Sequence, residues 1–209
     1  MALDIWLAFT AATLLVLIVP GPTILLVLSY ALSRGPKVAF RMVAGVALGD
    51  FIAMTVSLAG LGAVLAASAT LFLVMKWVGA IYLGVMGLRL LLNARNASVK
   101  LQSEETSSSP ALNGAVRDAA IVTALNPKSI GFFVAFVPQF LDQSSPVLPQ
   151  FVVMIATFVS LGALNAGLYA LLAGHVRSRF TGGTALRFLH GLGGGVLLGL
   201  AAVAAFRRV

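Results

Sequence analysis

Two charged side chains sit where water is scarce. Asp50 lies in GVALGDF (Gly45 to Phe51) and Lys128 in NPKS (Asn126 to Ser129), each inside an apolar run. The other carboxylates lie elsewhere: Glu104 and Glu105 in a polar stretch, Asp142 between runs, Asp4 near the N-terminus and Asp118 at the edge of a run. A charge in such surroundings is costly and needs a partner or a proton. A structural Asp50–Lys128 pair would meet that need, as would a carboxylate capping free backbone amides. The favoured reading is functional: Asp50 accepts a proton, or faces the ammonium group of a substrate.

Two interruptions accompany these charges. PGPT (Pro20, Gly21, Pro22, Thr23) breaks the run from Leu14 to Leu32, and Asn126-Pro127 breaks another just before Lys128. Proline lacks an N–H and clashes with the preceding turn, at about 3 kcal/mol or more in a helix interior. Asn126 suits an N-cap with Pro127 at the first helical position; Pro22 suits the same position before Thr23. Each restart leaves unpaired N–H groups at the positive end of a helix, which attracts a carboxylate. A zwitterionic amino acid suits that combination, with amides and Lys128 for its carboxylate and Asp50 for its ammonium. The competing reading is a simple kink repaired by neighbouring helices and water.

The elements that carry these groups are membrane spans. Of 209 residues, 60% are hydrophobic and 10% charged, against about 25% charged in soluble domains; mean hydropathy is +1.03. The net charge of +8 does not point to nucleic acid, because Arg and Lys fall between apolar runs, which suits the positive-inside rule and anionic lipid headgroups. Cysteine is absent, which removes disulfides and thiolate chemistry. The N-terminal run reads as a retained first span rather than a signal peptide. Runs long enough to cross about 30 Å of hydrocarbon cover approximately Ile5–Leu32, Met42–Ala66, Leu71–Leu92, Val116–Leu141, Val147–Ala173 and Leu186–Phe206. The expectation is an all-α integral membrane protein of six transmembrane helices, with helices 1 and 4 broken near the midplane.

Basic residues set the expected orientation. Arg34, Lys37 and Arg41 follow span 1; Arg95, Lys100 and Arg117 follow span 3; Arg177, Arg179 and Arg187 follow span 5. These loops are expected to be cytoplasmic and both termini periplasmic or extracellular, although Arg207 and Arg208 run against that assignment. At 1.5 Å per residue, Asp50 lies roughly 14 Å from Arg41, Lys128 roughly 16 Å from Arg117 and Pro22 roughly 18 Å from Arg34. All three converge on one depth.

The chain also reads as two halves. A first repeat over residues 1–92 and a second over 116–209 flank a polar linker, 93–115, that is expected to be flexible. The first spans carry the breaks PGPT and NPKS. The second carry GVALGDF and GALNAGLY, and the third GAIYLGVMG (Gly79 to Gly87) and GLGGGVLLG (Gly191 to Gly199). An odd number of spans per half inverts the second copy, and broken helices at matching places mark a transporter's central site. Tyr82, Asn165 and Tyr169 are weaker candidates for lining that cavity; such residues more often bond between helices. Gly191, Gly195 and Gly199, like Gly45 and Gly49, form small-residue faces for close packing within the chain or in a homodimer. Trp6 and Trp77 suit interfacial anchors. His175 and His190 have no ligand-spaced neighbours, so neither a metal site nor a cofactor is expected.

Together, PGPT, GVALGD, KWVGAIYLGVMGLRLL and NPKSIGFFVAFVPQF resemble, in order and spacing, the LysE/RhtB family of amino-acid exporters. The resemblance implies a bacterial inner-membrane efflux protein driven by proton exchange, with motif positions at Pro20, Gly21, Pro22, Asp50, Asn126, Pro127 and Lys128. An enzyme is disfavoured: aspartyl intramembrane proteolysis needs a second deep carboxylate, and HExxH is absent. The alternative is a carrier or channel for small ions or metal ions, weakened by the lack of clustered His, Cys or carboxylates.

Overall fold

The computed structural model describes residues 1–93, 112–142, 144–180 and 183–206. Most of the expected linker, with Arg95, Lys100, Glu104 and Glu105, lies outside the described residues, as do Arg207 and Arg208. Every regular element among the described residues is helical: α1 (Leu3–Ile18), α2 (Pro22–Arg34), α3 (Pro36–Ala67), α4 (Ala69–Asn93), α5 (Leu112–Ala124), α6 (Pro127–Ala135), α7 (Val147–Phe180) and α8 (Gly183–Phe206). A 3-10 turn over Val137–Phe140 continues α6. By length and composition α3 (Pro36–Val64) and α7 (Val147–Ala173) can each cross a membrane, and α1 with α2, bent by 50°, makes a third candidate. Trp77–Arg89 and Gly194–Phe206 are shorter apolar helices.

Both expected breaks are present, and local chemistry explains each. α2 starts at Pro22 behind Gly21. α6 starts at Pro127 behind Asn126, whose side-chain oxygen accepts the Lys128 backbone N–H at 3.0 Å. The run expected as the fourth span folds as α5, then α6 and the 3-10 turn over VPQF. The turn from α2 into α3 passes through Gly35 at φ 90°, a conformation glycine adopts without strain.

Glycines bring the helices close. At Gly45 a Cβ would meet the Val116 backbone, and at Gly49 the Ala120 carbonyl at 2.6 Å, so α3 and α5 touch backbone to side. Gly87 and Gly194 do the same for α4 and α8. Gly191, Gly195 and Gly199 have nothing within 4 Å of a Cβ position, so that stripe packs on no neighbour among the described residues.

The buried apolar residues fall into two clusters rather than one. The first holds Phe9, Val16, Met54, Leu58, Phe132, Phe136 and Phe158 among others. The second is built of smaller side chains, including Val27, Ala31, Ala39, Val46, Ala119, Ala166 and Ala170. Each of α1–α2, α3, α5–α6 and α7 contributes to both, and the changeover falls between Leu17 and Ile24, Val46 and Ala53, Ala119 and Phe132, and Phe158 and Ala166. In the first cluster the Phe133 and Phe158 rings meet edge to face at 4.7 Å, and Phe132 stacks on Phe136 at 5.4 Å. Between the clusters lies a polar layer.

Candidate functional site

The polar layer begins with the end of α1. In a continuous helix the carbonyls of residues 16 to 19 would accept the N–H groups of residues 20 to 23. Pro20 and Pro22 have no N–H, and the bend after Ile18 carries the remaining two amides away. All four carbonyls are instead met by side chains. The Lys128 ammonium donates to Val16 at 3.0 Å and to Val19 at 2.6 Å. The Asn165 amide donates to Leu17 at 3.1 Å, and the Tyr169 hydroxyl to Ile18 at 3.1 Å. Asn165 and Tyr169 are four residues apart and so share one face of α7. Cationic and polar donors at the negative end of a helix dipole are favourably placed.

Lys128 is 5% exposed, and its aliphatic stem lies against Gly21: a Cβ there would stand 3.2 Å from both Cε and Nζ. The absent side chain at Gly21 thus lets the ammonium reach the carbonyls.

The two restarts are joined directly. Asn126 donates from its side-chain nitrogen to the Thr23 hydroxyl at 3.1 Å, and the Thr123 hydroxyl lies 3.2 Å from the same oxygen. The amides of Thr23 and Ile24 in α2 and of Ser129 in α6 find no acceptor among the described residues. The positive ends of two short helices therefore face the layer in which the negative end of α1 is already capped.

Asp50 completes the layer. It is 3% exposed and has neither a hydrogen bond nor an ion pair, including with Lys128, within the described residues. The alternative reading, a structural Asp50–Lys128 pair, is therefore not formed as a contact. Its carboxylate faces Gly162 on α7, and a Cβ at that position would collide with it. Asp50, Thr23, Asn126, Lys128, Ser129 and Asn165 line one cavity of ≈ 20 Å³, closed on its apolar side by Leu17, Ile24 and Val46. That volume holds about one water molecule.

Of the sequence candidates, Gly21, Thr23, Asp50, Asn126 and Lys128 share this cavity, and Asn165 joins them. Pro20, Pro22 and Pro127 act through the backbone they interrupt. Tyr169 caps α1 from beside the cavity. Tyr82 does not line it: it is 37% exposed, with its ring on Gly131 at the α4–α6 contact. Its side chain packs between α4 and α6 instead of entering the polar layer. Sequence reasoning missed Ser129, Thr123 and Gly162; the spacing from Gly162 to Asn165 on α7 was the available signal for the last. Trp6 is tied inward, donating to Thr157 at 3.0 Å. The side chains of His175 and His190 lie outside the described residues, and no group of three or more His, Cys, Asp or Glu that could hold a metal occurs among the described ones.

A family model described as LysE type translocator matches residues 14–208. A membrane protein of Vibrio cholerae is 31% identical over 173 residues, covering 83% of this chain and 82% of its own length. One from Pseudomonas aeruginosa is 34% identical over 143 residues, covering 66% of this chain and 64% of its own. A protein of Salmonella typhimurium named leucine efflux protein is 29% identical over 181 residues, covering 86% and 83%. No solved structure matches the chain significantly.

Proposed function

The chain belongs to the LysE type translocator family, as its motifs led one to expect, and from that premise we propose that it exports a neutral amino acid from the bacterial cytoplasm in exchange for protons. It is a multi-pass membrane transporter of amino-acid-exporter kin rather than an enzyme. The observation that carries the finer reading is the buried, unpartnered Asp50 carboxylate beside free amides at the starts of α2 and α6. A carboxylate held there calls for a cation or a proton as partner, and the amides call for an anion. An α-amino acid supplies both charges. Lys128 has three N–H donors, two of them spent on α1, which leaves one for a substrate carboxylate. Leu17, Ile24 and Val46 offer apolar contact to an aliphatic side chain, consistent with the leucine efflux name of a relative.

In this reading the protein sits in the inner membrane with both termini periplasmic, as six spans in two inverted repeats, residues 1–92 and 116–209. Support comes from the paired breaks at Pro20–Gly21 and Leu125–Asn126 and from the packing of α3 on α7 and α4 on α8, each between counterpart helices. The two halves rock about the polar layer. A cavity for one water cannot enclose an amino acid, so either the aromatic cluster or the alanine-rich cluster must part to admit one. Substrate enters from the cytoplasm and leaves outside; a proton then takes its place on Asp50 for the return.

Efflux from proteoliposomes under an imposed pH gradient tests this reading. Wild-type protein should export at least one amino acid of a panel, faster with the gradient. Asp50→Asn should lose the pH-driven component by tenfold or more. Undiminished pH-driven export by that variant removes Asp50 from coupling, and no efflux of any amino acid by the wild type removes the substrate class.

A further inference from the structure

The broken end of α1 carries a site of its own. Two carbonyl oxygens, of Val16 and Val19, converge on the Lys128 nitrogen at 3.0 and 2.6 Å, at the negative end of a helix and among buried residues. Carbonyls at the C-terminal end of an interrupted membrane helix are the ligand type with which transporters hold a coupling sodium ion. We propose that Val16 and Val19 form a monovalent-cation cradle and that Lys128 fills it as a tethered cation.

The neighbouring bonds fit that assignment. Asn165 and Tyr169 neutralise the two intervening carbonyls, so only the pair at Val16 and Val19 is left for a charge. Gly21 gives the lysine stem its path. A cation fixed to the chain cannot travel, so it does its electrostatic work without being consumed. The consequence for coupling rests on the transporter reading: transport needs no sodium, and the exchangeable cation is the proton on Asp50. Emptying the cradle should turn a built-in cation into a required one.

The test uses Lys128→Ala and Lys128→Ser, purified in detergent, with Tm followed in Na+, in methylammonium and in N-methyl-D-glucamine at equal ionic strength. The last ion is too large for the cradle. Wild-type Tm should not distinguish the three. Both variants should gain about 3 °C or more in Na+ or methylammonium once the ion exceeds its Kd about tenfold. Folding only when a small cation is present gives the same answer. Folded variants with no cation-dependent Tm overturn the cradle, and so do variants that fail to fold under every ion. The Tm arm does not depend on substrate, so it stands even if no amino acid is exported. In proteoliposomes, wild-type efflux should agree within twofold in Na+ and N-methyl-D-glucamine; a tenfold loss without Na+ overturns the tethered-cation role.

Discussion

Asn126 donates a 3.1 Å hydrogen bond to Thr23 across 103 residues of sequence, and so ties one helix break to the other. Thr23 is 7% exposed and Asn126 3%, so neither reaches bulk water. Thr23→Val keeps the shape and removes the acceptor that Asn126 and Thr123 share. Interhelical hydrogen bonds in membranes average about 0.6 kcal/mol and reach about 1.7. A double-mutant cycle with Asn126→Ala, read by reversible unfolding in detergent, should give a coupling energy in that range. Thr23→Ser should stay close to wild type. Additive single effects would mean the bond contributes nothing.

Gly162 gives Asp50 its room. Gly162→Ala should displace the carboxylate, because the added methyl meets the Asp50 side chain rather than a rigid backbone. The expected outcome is a folded protein with transport reduced tenfold or more. Gly167→Ala is the control: its Cβ would rest at 3.6 Å from Phe40 and 3.9 Å from Val43, ordinary contact. Initial efflux rates of the two variants, with Tm for each, check this prediction. Equal rates would show that the position of Asp50 is not critical.

The α3–α5 contact predicts the opposite kind of effect. A side chain at Gly45 or Gly49 meets backbone atoms of α5, which cannot turn aside. Gly45→Ala and Gly49→Ala should each destabilise by about 1–3 kcal/mol, as overpacking does. Gly60 also lies within α3 but has open space around it. Gly60→Ala should be neutral or stabilising by up to about 1 kcal/mol, the difference in helix propensity. Unfolding midpoints in a denaturant series would separate the two behaviours.

The loop after the 3-10 turn offers a pH prediction. The Ser144 hydroxyl and amide lie 2.5 and 2.9 Å from one oxygen of Asp142, and the Ser145 hydroxyl donates to the other at 2.8 Å. Hydrogen bonds from Ser144, then from Ser145, hold the carboxyl below its ordinary value of 3.8. Because the folded value is the lower one, the loop's stabilisation is present above 3.8 and disappears as pH falls through the depressed value. Carbon-13 NMR of Asp142 should therefore show a midpoint below 3.8 in the wild type. Ser144→Ala should move it back upward; an unchanged midpoint would show that these bonds do not hold the charge.

Much of the site could be read from sequence because its causes are local. A proline without an N–H marks where a helix must end, whatever surrounds it, and Asn126-Pro127 spells out a restart. Asp50 and Lys128 stand out because charge in an apolar run has no ordinary explanation. What local chemistry cannot convey is direction. Lys128 follows the expected helix break, yet its ammonium turns to the carbonyl end of α1 rather than to Asp50. The same limit applies to Tyr82, a polar ring in an apolar run that packs on Gly131 rather than on the cavity. Asn165 and Tyr169 were visible as a pair four residues apart, but the carbonyls they serve belong to a helix about 150 positions earlier.

That distance has a consequence for how the molecule is made. The ribosome finishes α1 more than 100 residues before Lys128 is synthesised, and later still for Asn165 and Tyr169. Until then four carbonyls at its broken end have no partner from the chain. Helices α1 to α4 produced alone would therefore leave a polar wound in the bilayer, for a chaperone to shield or a protease to find. Two gene fragments divided between residues 93 and 112 should accumulate only when expressed together.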